Sequence, residues 1–92
     1  MFRVDIIFRG RVQGVGFRAF VKDIADEMSI CGRVWNNYDG STQLIAYIST
    51  KNDIDSFVEK VKSGPEMSTV QEYSVSITPS DPYIENEFEV VD

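Results

Sequence analysis

Histidine is absent from this 92-residue chain, and cysteine occurs once. The most frequent general base and the most frequent zinc ligand of proteins are therefore missing. The single cysteine, Cys31, cannot form an internal disulfide, so a reducing compartment is expected. Asn37 stands six residues after Cys31, where a phosphocysteine site requires an arginine. We interpret Cys31 as a small thiol at the start of a strand.

Long apolar runs and clustered acidic residues are also lacking. No run approaches the ~20 apolar residues that cross a membrane. The first residues begin directly on a strand pattern and not on the apolar stretch of a signal peptide. We therefore expect a cytoplasmic protein with no membrane partner. The acidic residues show no spacing typical of a metal-binding loop, and we interpret these as solvated: Asp53, Asp55, Glu85, Glu87 and Glu89.

The net charge of −6 argues against a nucleic-acid partner, because nucleic-acid binding depends on neutralising phosphates. The charge is unevenly distributed along the chain. Residues 1–33 hold six of the nine basic side chains and four acidic ones, which gives +2 there and −8 in the remainder. This distribution favours the binding of a small anion by the N-terminal third and disfavours polyanions elsewhere.

Hydrophobic periodicity predicts five strands and two helices. Apolar residues alternate at the start of the chain and then follow helical spacing from Phe17 to Met28. A hairpin follows, and a second helix opens on Thr50-Lys51-Asn52-Asp53, which resembles a capping box. Gly64 and Pro65 end that helix, and Pro79 and Pro82 indicate a late turn. The predicted strands are 2–9, 32–38, 41–49, 70–78 and 87–91, and the hairpin turn is 38–41.

This order of elements predicts the fold class. It is βαββαβ with a short extra C-terminal strand, an α+β arrangement in which two helices cover one face of a mainly antiparallel sheet. Such an α/β sandwich is ferredoxin-like. Residues 1–92 are expected to form a single domain. Because this fold hosts many unrelated functions, the function must be read from the site.

Glycines punctuate the turn between the first strand and the first helix, Gly10-Arg11-Val12-Gln13-Gly14-Val15-Gly16-Phe17-Arg18. Glycine allows close backbone approach to a ligand, and the start of a helix offers unpaired N–H groups and a positive dipole end. Arg18 opposes that dipole unless an anion is present. The segment therefore indicates a cradle for a phosphate.

The same segment resembles the phosphate-binding signature of the acylphosphatase family. The resemblance implies a phosphate-binding loop of Gln13, Gly14, Val15, Gly16, Phe17 and Arg18, in which Arg18 is also catalytic. A second block, residues 32–40, resembles the other motif of that family and places the catalytic asparagine at Asn36. Pattern alone leaves Asn37 as an alternative. The chain departs from the family at Ser29 and Ile48, where glycine is usual, and at Thr42, where valine is usual.

The resemblance implies a hydrolase that cleaves the carboxyl–phosphate bond of small acyl phosphates to a carboxylate and inorganic phosphate, without a metal or another cofactor. The missing histidine agrees with this chemistry. A carboxylate leaving group, with a conjugate-acid pKa near ~4–5, departs without being protonated. Arg18 and backbone amides would stabilise charge on the phosphate, and the Asn36 amide would hold the attacking water. A monomer is expected.

Three alternative functions are also compatible with parts of the sequence. A non-catalytic module that binds phosphate or carbamoyl phosphate for a partner enzyme would use the same loop. Residues 14–19 also satisfy a loose dinucleotide-binding pattern, but the chain has no room for a doubly wound sheet. Residues 14–21 superficially resemble an RNA-contacting motif, although such a motif belongs on a central strand and this segment runs into a helix.

Overall fold

The computed structural model describes residues 1–82 and 87–92. It contains the predicted elements in the predicted order. Their bounds are β1 (Phe2–Arg11), α1 (Phe17–Glu27), β2 (Cys31–Asn36), β3 (Thr42–Ile48), α2 (Lys51–Ser63), β4 (Thr69–Pro79) and β5 (Phe88–Val90).

The strands form one sheet in the order β4-β1-β3-β2-β5. β1 pairs antiparallel with both β3 and β4, and β2 pairs antiparallel with β3. The short β5 adds to β2 in parallel. The predicted ferredoxin-like α+β fold is therefore confirmed, with one parallel pair at the edge of an otherwise antiparallel sheet.

Both helices bury an apolar stripe against the same face of the sheet. The strand residues of this core alternate, as expected when one face is covered. On the helices the buried residues recur at helical spacing. The fully or almost fully buried core includes Val4, Ile6 and Phe8 of β1, Leu44, Ala46 and Ile48 of β3, Phe17, Val21 and Ala25 of α1, and Ile54, Phe57 and Val61 of α2.

The ends of the helices follow the sequence closely. Thr50 caps α2, and its Oγ1 accepts a hydrogen bond of 3.1 Å from the Asp53 amide. Gly64 ends α2 with φ of 67°. After α1, Ser29 takes the left-handed conformation with φ of 56°, which costs a non-glycine residue about 1–2 kcal/mol. This is the conformation expected where the family usually has glycine.

β1 is two residues longer than predicted. A register shift between Arg9 and Gly10 lets the strand continue, so that Gly10 pairs with Val70 and Arg11 with Thr69. Gly10 has φ of 126°, and a Cβ there would collide with the Thr69 carbonyl oxygen. The predicted end at residue 9 was wrong because the bulge depends on pairing with a distant strand.

The hairpin strands are shorter than predicted at the turn. β2 ends at Asn36 and β3 begins at Thr42, because the Asn37 amide donates to the Ser41 carbonyl at 2.9 Å and the Gly40 amide to the Asn37 carbonyl at 3.2 Å. Elsewhere the bounds differ by one residue at α1, β4, β5 and the C-terminal end of β3, and Cys31 joins β2. These differences leave the order of elements unchanged.

β4 is an edge strand and stays exposed along most of its length. Tyr73, Val75 and Ile77 share one face of this strand, yet they are 42%, 37% and 49% exposed. α2 leaves an open groove beside them, lined on the helix side by Ile54 and Val58. The strand pattern was right, while the extent of cover on that face depends on the position of α2.

The acidic residues predicted to be solvated are exposed where the structure describes them, namely Asp53, Asp55, Glu87 and Glu89. Glu85 is one of residues 83–86, which follow the predicted turn at Pro79 and Pro82 and lie outside the described residues. No helix in the described ranges is long and apolar enough to cross a membrane.

Candidate active site

The turn between β1 and α1 brings backbone amides to the start of a helix. Gly14 and Gly16 have φ of 72° and 80°, and Gly16 is the N-cap residue of α1. Among the described residues no side chain caps this helix, and its first turn carries no acidic residue. The N–H groups of the first turn therefore point toward a position that an anion can occupy.

A cavity of about 200 Å³ lies at this position. This volume exceeds the roughly 10–15 Å³ that a cavity needs to hold one water, so it has room for a small oxyanion. Two sequence motifs meet in it, since Arg18 comes from the glycine-rich turn and Asn36 from the end of β2. The lining residues are Val12, Gly14, Gly16, Phe17, Arg18, Ala19, Asn36 and Val90.

Arg18 is held at the cavity by the C-terminal segment. Its Nη1 donates to the Val91 carbonyl oxygen at 2.8 Å and lies 3.5 Å from Asp92 Oδ1. The side chain of Arg18 is 30% exposed, whereas that of Asp92 is fully exposed. Within the described residues, Arg18 is the one ionisable side chain that lines the cavity. The site therefore carries a partly shielded positive charge.

Asn36 and Asn37 point to opposite faces of the hairpin. Asn36 lines the cavity, and its Oδ1 accepts a hydrogen bond of 2.8 Å from Thr42 Oγ1. Asn37 Oδ1 accepts from Trp35 Nε1 at 3.1 Å, and its Nδ2 donates to Ser41 Oγ at 3.0 Å and to Gln43 Oε1 at 3.1 Å. Of the two asparagines that the pattern allowed, Asn36 is the one beside Arg18.

Two residues of the predicted loop contribute in other ways. Gln13 Nε2 donates to the carbonyl oxygens of Asn37 and Ser41, each at 2.8 Å, and so ties the loop to the hairpin turn. Val15 packs against the core. Neither side chain lines the cavity. The structure thus brings together Gly14, Gly16, Phe17, Arg18 and Asn36, and it uses Gln13 and Val15 to hold the loop.

The hairpin turn carries an anion of its own. Asp39 Oδ1 accepts from Ser41 Oγ at 2.6 Å and from the Ser41 amide at 3.0 Å, and Arg9 lies 3.0 Å from Oδ2. The Ser41 hydroxyl, then the Ser41 amide and Arg9, lower the pKa of Asp39 from 3.8 to about 2. A carboxylate beside a glycine is a typical turn signal, so the sequence could have indicated this role.

The sequence did not predict that Thr42 contacts Asn36 beside the cavity. Thr42 lies directly opposite Asn36 in the β2–β3 ladder. Antiparallel pairing places such side chains on one face, so the hairpin register carried the signal. The described residues contain no group of three or more His, Cys, Asp or Glu side chains that could hold a metal ion.

The fold and site define a class of protein: a two-helix α/β sandwich with a glycine-rich, uncapped turn and an arginine at the start of its first helix. The acylphosphatase family model matches residues 4–90. An acylphosphatase of Lactococcus lactis is 47% identical over 62 residues, which span 67% of this chain and 64% of that protein. The crystal structure of acylphosphatase from Bacillus subtilis covers 100% of both chains at 40% identity, with a TM-score of 0.92. The chain belongs to the acylphosphatase family.

One solved structure is of a much longer protein. T. kodakarensis HypF matches 98% of this chain at 27% identity, with a TM-score of 0.78, but the match covers 12% of the HypF chain. The family likeness therefore extends to a segment of a larger protein as well as to chains of about this length.

Proposed function

We propose that this chain is an acylphosphatase that hydrolyses the carboxyl–phosphate bond of small acyl phosphates to a carboxylate and inorganic phosphate. The observation that supports this most is the meeting of Arg18 and Asn36 in one cavity beside the uncapped start of α1. Both residues come from motifs that resemble those of the family to which the chain belongs.

The phosphate of the substrate binds in the turn between β1 and α1. Backbone N–H groups from Gln13 to Arg18 surround its oxygens, and the guanidinium of Arg18 adds a permanent charge and directed donors. These groups stabilise the charge that spreads over the phosphate oxygens during transfer. Arg18 and the amides thus supply the electrostatic stabilisation, and neither a metal nor another cofactor is required.

The Asn36 amide holds the attacking water in line with the bond that breaks. The water oxygen forms a bond to phosphorus, the bond from phosphorus to the acyl oxygen breaks, and the carboxylate leaves with the electron pair. The water proton passes to the phosphate or to solvent. Since neither a guanidinium nor an amide side chain titrates near neutrality, the rate should be nearly flat between about pH 5 and 8.

We infer that the chain works as one domain and as a monomer in the cytoplasm. It binds inorganic phosphate as a product, and its acidic surface disfavours nucleic acids.

The test is hydrolysis of a synthetic aryl acyl phosphate in excess chelator by the wild type, Asn36→Ala and Asn52→Ala. Asn52 is an exposed asparagine at the start of α2 and serves as the matched control. We expect turnover by the wild type and Asn52→Ala, and loss of all but a small residual turnover in Asn36→Ala with inorganic phosphate binding retained. Saturable phosphate binding by a wild type that does not turn over would instead identify a non-catalytic anion-binding module.

A further inference from the structure

Thr42 is a buried polar side chain next to the cavity. It is 0% exposed and starts β3 directly opposite Asn36. Two acceptors lie within reach of its hydroxyl: Asn36 Oδ1 at 2.8 Å and the Val12 carbonyl oxygen at 3.5 Å. A hydroxyl has one proton to donate, so the shorter contact with Asn36 takes it.

This hydrogen bond determines which end of the Asn36 amide meets the cavity. An amide side chain has an acceptor oxygen and a donor NH₂ group, and rotation about the last side-chain bond exchanges them. With Oδ1 held by Thr42, Nδ2 is the end left for a ligand. Because Thr42 is anchored in the β2–β3 ladder and fully buried, solvent does not reach its hydroxyl.

We propose that Thr42 is a positioning residue for the hydrolysis. Its hydroxyl holds the Asn36 amide so that Nδ2 faces the attacking water. This inference rests on the proposed role of Asn36. Thr42 itself does not line the cavity, whereas Asn36, which its hydroxyl contacts, does.

The variant Thr42→Val tests the inference, since valine keeps the branched shape and removes the hydroxyl. We expect kcat to fall by about 3- to 10-fold, the scale of one ordinary hydrogen bond. KM and the affinity for inorganic phosphate should change little, because the phosphate contacts are made by the loop and Arg18. Thr42→Ser, which restores the hydroxyl, should recover most of the lost kcat.

Two comparisons separate positioning from a general structural role. Thr78→Val, on the exposed β4 strand, is the matched control and should keep the wild-type kcat. In an Asn36→Ala background, Thr42→Val should have no further effect on the residual rate, because nothing remains to be positioned. An equal loss of kcat in both backgrounds would show that Thr42 acts through the fold and would overturn the proposal.

Nuclear magnetic resonance gives a readout that does not depend on turnover. The side-chain NH₂ signals of Asn36 should shift in Thr42→Val and return toward wild-type positions in Thr42→Ser. If Thr42→Val does not fold, Thr42→Ser must still keep the wild-type Asn36 signals and kcat, or the proposal fails. Retained activity of Asn36→Ala would contradict the role proposed for Asn36, whereas an inactive Asn36→Ala beside a fully active Thr42→Val would reject the Thr42 inference alone.

Discussion

The two helices of this chain begin in opposite ways. α2 starts with a threonine cap, has Asp53 in its first turn and carries Lys60 and Lys62 in its last turn. Each of these features stabilises a helix. α1 has Gly16 as its N-cap residue, and no side chain of the described residues caps it. Its first turn contains Arg18 and no acidic residue. That arrangement leaves the helix start electrostatically unsatisfied.

The contrast indicates what each helix start serves. Both helices bury a similar apolar stripe against the same sheet, so packing does not explain why their ends differ. At α2 the unpaired N–H groups meet a side chain of the protein. At α1 they face a cavity with an arginine, where a bound anion can act as the cap. The stabilising features are absent where the proposed function requires room for a phosphate.

The largest expected effect comes from Arg18→Ala. This change removes the charge beside the proposed phosphate, and kcat/KM should fall by roughly 10²- to 10³-fold, about 2.7–4 kcal/mol of transition-state stabilisation. The assay is hydrolysis of an aryl acyl phosphate. Lys51→Ala is the matched control, because Lys51 is an exposed cation in the first turn of α2. Wild-type turnover by Arg18→Ala would remove Arg18 from its catalytic role.

A smaller effect is expected at the other helix start. Thr50→Ala removes the acceptor of the Asp53 amide and should lower the free energy of unfolding by about 1 kcal/mol, a fall in Tm of roughly 4–8 °C. Activity should be unchanged. Ser56→Ala, which removes an exposed hydroxyl within α2, is the control and should not lower Tm. A loss of activity in Thr50→Ala with an unchanged Tm would contradict the separate roles of the two helix starts.

The sequence predicted one helix start better than the other, for a physical reason. The threonine cap of α2 is a local interaction, and it was visible in four consecutive residues. The glycine-rich turn indicated an anion site, but the choice between Asn36 and Asn37 depended on which face of β2 meets α1. Likewise, the contact of Thr42 with Asn36 depends on the hairpin register, and the contact of Arg18 with Val91 joins α1 to a residue 73 positions later in the chain.

The same limit applies to the fold. Alternation and helical spacing predicted the elements, because these patterns are local. The extension of β1 to Arg11 depends on pairing across a bulge with β4, and the exposure of Val75 depends on where α2 lies. Neither is determined by neighbouring residues. Long-range pairing therefore decided the details that local patterns missed.

The smallest effect is expected at the hairpin turn, where the Asp39 carboxylate accepts a hydrogen bond from the Ser41 amide. Asp39 is exposed, and the Ser41 hydroxyl and amide lower its pKa from 3.8 to about 2. Since the folded pKa is the lower one, the stabilisation is present above about pH 4 and is lost as the pH falls toward 2. Asp39→Asn should lose stability at neutral pH and should show a weaker loss of stability than the wild type between pH 4 and 2, as measured by urea unfolding.

Asp55→Asn, at an exposed position on α2, is the control and should follow the wild-type pH dependence. If Asp39→Asn also followed the wild-type pH dependence, the Asp39 carboxylate would not stabilise this turn. The comparison of anion-binding backbone would then hold only for the two helix starts.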